Sequence, residues 1–130
     1  MKSALALLRA YPPAFAVVVL AALVIQLNPA WRDGLIYDRA AIGEGEIWRL
    51  WTGHLVHFGW AHFVADAGLL LILGYALGRT HRGFSRLAFA VMPVFISLCL
   101  YVLEPAMSRY AGLSALDLGM LLYLAGCGWQ

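Results

Sequence analysis

The run Gly112-Leu113-Ser114-Ala115 sets a hydroxyl among small residues at the start of an apolar stretch. Well upstream, His54, His57, His62 and Asp66 stand close together in a second apolar stretch. A serine attacks an acyl carbon only when a base, usually histidine, takes its proton. The first turn of a helix adds unpaired N–H groups and the positive end of the helix dipole, both suited to a developing oxyanion. Gly112 lets the backbone approach closely there. A helical serine more often back-bonds to a carbonyl, and all four histidines, His81 included, precede Ser114. His62 and Asp66, four apart, share a helix face, whereas on one continuous helix His57 falls nearly opposite Asp66. His62 and Asp66 are therefore the pair expected to serve a site, with His54 and His57 as structural hydrogen-bonding groups. Spacings of three, five and four around one helix do not bring these four groups to one ion. No metal and no cofactor are expected.

The elements that must position these residues are membrane helices. Only 12% of the 130 residues are charged, about half the share of a soluble domain. The sequence predicts an all-α, polytopic membrane protein of one domain, with four spans at about 11–29, 50–78, 87–103 and 111–129. A long apolar region and the lack of an A-x-A site argue against a cleaved signal peptide over the first span. Gly74-x-x-x-Gly78 and Ala115-x-x-x-Gly119 offer thin faces for close helix packing. Cys99 and Cys127 lie in apolar runs, where a disulfide is not expected. The small, scattered net charge of +2 points away from nucleic acid and leaves the bilayer as the partner. Lys2 and Arg9 before the first span, and Arg79, Arg82 and Arg86 after the second, set the N-terminus and the 79–86 loop inside. Residues 31–49 and 104–110 then face outside, so the histidines and Ser114 enter from the same side. An ionisable group within a span usually faces a protein interior or a wet cavity, which makes residues 45–71 a candidate site.

Three pieces, in order, resemble the rhomboid intramembrane serine proteases. Glu46-x-Trp48-Arg49-x-x-Thr52 resembles the family's W-R signature in its first loop. His57-x-x-x-x-His62-x-x-x-Asp66 is similar to its second-span H-x-x-x-x-H-x-x-x-N, and Gly112-Leu113-Ser114-Ala115 to its G-L-S-G. The compact first loop looks most similar to the rhombosortase subgroup, implicated in processing C-terminal sorting tails of exported bacterial proteins. The resemblance implies Ser114 as nucleophile. His62, the residue at 66 and the Ser114 N–H would hold the oxyanion, His57 would be structural, and Trp48-Arg49 would shape the loop. It also implies a membrane-protein or C-terminal transmembrane-tail substrate, a bacterial inner-membrane location and a site opening to the periplasm. Asp66 departs from the family's Asn, Ala115 from its Gly, and Leu118 stands where a ring often sits. The family's core has two more spans, the last with the catalytic histidine, so the expectation is a C-terminally truncated protease. The other reading is a non-catalytic relative that binds client transmembrane segments.

Overall fold

The computed structural model describes residues 13–80 and 82–127. Helix α1 (Pro13–Leu27) leads through a 3-10 turn at Pro29–Trp31 into the short α2 (Arg32–Leu35). Strand β1 (Tyr37–Asp38), α3 (Arg39–Gly43), α4 (Arg49–Thr52) and a second 3-10 turn at Gly53–Leu55 follow. The long helices are α5 (Trp60–Thr80) and α6 (Arg82–Leu103); then come β2 (Arg109–Tyr110) and α7 (Ser114–Cys127). The chain is thus helical apart from one two-residue antiparallel pair, in which Tyr37 faces Tyr110 and Asp38 faces Arg109.

The helix of the second apolar stretch begins at Trp60, not at Leu50. Val56 is extended at φ −85° and ψ 141°, and the α-helical bonding starts with Phe63 N–H donating to the Gly59 carbonyl at 3.0 Å. The basic 79–86 segment expected as a loop is helical on both sides, with only residue 81 between α5 and α6; His81 lies outside the described residues, as do residues 11–12 of the first expected span and 128–129 of the last. Among the described residues, Trp60–Leu77 is the one helix long and apolar enough to cross a membrane alone. The pair Ala14–Leu27 and Pro29–Leu35, bent by 100°, passes only when taken together, and Ala88–Leu103 and Ser114–Cys127 are shorter apolar helices.

Packing follows the helical period. Phe15, Val18, Ala22 and Ile25 form the buried stripe of α1, while the apolar Val17, Leu20, Val24 and Leu27 are exposed on its other side. The Phe15 ring lies on Gly74, where an added Cβ would stand 2.6 Å from its Cγ, so the small-residue face of α5 receives α1. Gly119 of α7 takes the Met92 methyl of α6 in the same way. Cys99 and Cys127 are free thiols.

The segment between α1 and α5 is a hydrogen-bonded platform. Arg49 is buried, and its guanidinium donates to the Asp33 and Ile36 carbonyls at 2.7 and 2.9 Å and to the Glu46 carboxylate. Trp48 Nε1 donates to the Gly34 carbonyl, and Thr52 Oγ1 to the Leu35 carbonyl. Pro93 inside α6 has no N–H for the Phe89 carbonyl four residues back; Trp51 Nε1 donates to that carbonyl at 3.0 Å instead. His54 Nε2 meets the Pro93 carbonyl and Ser97 Oγ, each at 3.0 Å, and Ser97 Oγ donates to the Leu50 carbonyl at 2.6 Å. Asp38 caps α3 by accepting from Ala40 and Ala41 N–H, and its carboxylate pairs with Arg109 at 3.2 Å. The platform and the 104–110 loop therefore occupy the same end of the molecule.

Candidate active site

Ser114 is the first residue of α7 and is exposed. Its placement starts with β2, which fixes Tyr110 against Tyr37. Gly112 then turns at φ +119°, a left-handed conformation that a side chain strains against. A Cβ at Gly112 would also stand 2.8 Å from His62 Nε2 and 3.0 Å from Asp66 Oδ2. Glycine is required twice over here, by its dihedral and by the groups beneath it. Gly112 N–H donates to the Gly53 carbonyl at 3.3 Å, tying the serine loop to the platform. The Tyr110 hydroxyl donates to the Gly112 carbonyl at 3.1 Å, accepts from Ala115 N–H at 3.4 Å and lies beside the Ser114 side chain.

Under this loop, three groups converge on one oxygen. Asp66 Oδ2 accepts from Leu113 N–H at 2.9 Å, and His62 Nε2 is 3.1 Å from it. His57 Nε2 is 3.4 Å away, outside hydrogen-bonding geometry, so that nitrogen has no hydrogen-bond partner. The His62–Asp66 pairing is the one expected from their spacing. His57 is a correction. It precedes α5 rather than riding on it, and the turn at 56–59 brings its ring against His62, with centroids 5.1 Å apart. The expected placement of His57 opposite Asp66 does not hold. His57 Nδ1 faces the Leu55 carbonyl at 3.2 Å.

His54 belongs to a different cluster, with α6. Both His54 and His57 stand before the span, and burial lowers both, His54 to about 4 and His57 with partial opposition from the Asp66 carboxyl. No hydrogen bond joins any described histidine to Ser114. Among the described residues, no three His, Cys, Asp or Glu side chains are disposed to hold a metal ion.

Three features were not visible as site features in the sequence. Leu113 contributes through its backbone N–H, to which side-chain type gives no clue. Tyr110 adjoins Ser114, and only the Tyr-Ala-Gly-Leu-Ser spacing hinted at it. Asp117, one turn beyond Ser114, is 2% exposed with neither carboxyl oxygen hydrogen-bonded; an acidic residue interrupting an apolar run was its signal. Chemically, the loop offers an accessible hydroxyl at a helix start, beside a backbone N–H and an imidazole on one oxygen.

A model of the Rhomboid domain matches residues 44–130, which takes in the W-R stretch, the histidine stretch and the serine loop. Comparison with curated proteins gave no match, and comparison with solved structures gave none.

Proposed function

The chain belongs to the rhomboid family of integral membrane proteases, which act on membrane-protein substrates within the bilayer, and we propose that in it Ser114 is the nucleophile of a serine endopeptidase. The observation that carries this reading is the loop around Gly112. It holds an exposed Ser114 at the first residue of α7 while its floor is His62 and Asp66. A tetrahedral intermediate on Ser114 places its negative oxygen near the helix start, where N–H groups and a histidine donor stabilise it best. In this reading His62 and the Leu113 and Ser114 N–H groups serve the oxyanion. Gly112 gives the loop its approach, Trp48 and Arg49 hold the platform, and His54 and His57 are structural.

The base is a separate matter. His54 is committed to α6, and His57 and His62 face Asp66. We assign none of them to Ser114; the resemblance places the base on a later span of the family's core. The substrate class we propose is a membrane protein entering laterally, with C-terminal sorting tails of exported proteins as the narrower, rhombosortase-like choice. Four spans, an inner N-terminus in a bacterial inner membrane and a site open to the periplasm complete the proposal, resting on the basic-residue distribution.

The test is co-expression, in cells, of the protein in a form carrying the family's final spans with tail-anchored reporters of both orientations. Cleavage is expected only for the reporter whose junction faces outside, with loss of at least about a thousandfold in Ser114→Ala. Cleavage that survives Ser114→Ala, or that favours the inward-facing junction, contradicts the proposal.

A further inference from the structure

The group that fills the space beneath Gly112 is itself an acid. Asp66 Oδ2 takes the Leu113 N–H at 2.9 Å and lies 3.1 Å from His62 Nε2. Leu113, the hydrogen-bonded donor, immediately precedes Ser114, and His62 lies against Gly112, two residues before it. An oxyanion raised on Ser114 requires hydrogen-bond donors already aimed at its position, and a donor engaged by an internal carboxyl oxygen is not free to serve one. A second observation marks this as a place for an anion rather than a chance contact. His57 Nε2, on a fully buried ring, points at the same oxygen from 3.4 Å with no hydrogen bond of its own.

Resting on the Ser114 reading above, we propose that Asp66 is a built-in competitor for the oxyanion position. Its Oδ2 fills an anion-binding pocket made by Leu113 N–H and His62, closed below by His57, and acyl chemistry at Ser114 begins only when that oxygen withdraws. The pocket takes a small carboxylate or a carbonyl-derived oxyanion. A main-chain N–H and an imidazole supply planar, short-range donors, and Gly112 leaves no side chain between them and the loop. Withdrawal needs no change of fold. Asp66 is on α5 and the donors belong to the loop before α7, so a small separation of loop from helix exchanges the internal oxygen for an external one. Asp66 is then the inhibitor of the closed state, and in the open one its oxygen has left the pocket. An amide at this position accepts the Leu113 N–H more weakly than a carboxylate does, so it yields more readily to a substrate oxygen.

The experiment uses the 130-residue chain in detergent micelles and follows amide exchange at Leu113 by NMR, with the Phe63 amide at the start of α5 as an internal control for global opening. In Asp66→Ala, Leu113 exchange is expected to rise at least about tenfold over wild type while Phe63 stays unchanged. Sodium formate, at constant ionic strength, is expected to slow it again in a saturable way in Asp66→Ala and to have no effect on wild type, where the pocket is full. Asp66→Asn, which preserves shape, is expected to give an intermediate rate and guards against misfolding of the alanine variant. Unchanged Leu113 exchange in both variants overturns the proposal, as does a formate response equal in wild type and Asp66→Ala. None of these readouts depends on turnover. Their failure removes the competitor and leaves the Ser114 reading standing, whereas a Ser114 that stays unreactive in the form carrying the family's final spans, with the expected Leu113 behaviour, leaves the anion pocket and removes the protease.

Discussion

Arg49 and Asp66 are ionisable residues of the same chain, each about nine-tenths buried, and their surroundings differ in kind. The Arg49 guanidinium has an acceptor on nearly every side, two carbonyls and the Glu46 carboxylate, all contributed within the platform. Around Asp66, one oxygen is crowded by three groups from three segments, while His57 Nε2 and both oxygens of the nearby Asp117 lack partners. Saturated hydrogen bonding fixes a shape. Unmet hydrogen bonding beside the exposed Ser114 keeps donors and acceptors available for something that arrives. The difference separates the part of the molecule that holds the site from the part that would work.

Substitutions at the two regions should therefore differ in sign. Arg49→Met strands two carbonyls and a carboxylate, and a loss of about 3 kcal/mol or more is expected, measured as unfolding in mixed micelles. A loss below about 1 kcal/mol would mean that water reaches these acceptors. Asp117→Ala removes a buried group with no partner to strand, so stability should hold or rise by about 1 kcal/mol. A marked loss in the same assay would reveal that Asp117 is bonded after all. The effect at Asp38 is small and depends on pH. The Ala41 N–H, and less strongly Arg109, hold its carboxyl below the ordinary carboxylate range. Because the folded value is the lower one, its stabilisation is complete above the unfolded value and is lost as pH falls through the folded value. Asp38→Ala should cost about 1 kcal/mol as a lost helix cap at neutral pH and nothing in strong acid. An equal cost at both pH values would break that assignment.

Much of this was legible in the residues. The i,i+4 spacing of His62 and Asp66 is their real pairing, and the Gly74 face does receive a helix. His57 was misplaced because Leu50 to Gly59 carries no charged Asp, Glu, Lys or Arg and no proline to mark a break, so the extended Val56 and the bend before Trp60 are hidden; Gly59, the acceptor of the first helical bond, was the available signal. The β1–β2 pair is two residues long and carries no strand pattern of its own, yet it brings the platform to the serine loop. Leu113 N–H and the burial of Asp117 arise only when α7 packs on α5. Such long-range juxtapositions are not written in local periodicity.

The central claim is that Ser114 is a nucleophile whose base is none of His54, His57 or His62. It is tested most directly by treating the 130-residue chain with a fluorophosphonate and mapping the adduct, alone and after fusion to the final spans, with their membrane histidine, of a rhomboid core. The account predicts weak or absent labelling of the chain alone. It predicts clear labelling at Ser114 in the fused form, abolished by Ser114→Ala, since without a base most of the rate is absent even where oxyanion donors are present. Strong Ser114-dependent labelling of the 130-residue chain by itself would contradict it and make His62 the base.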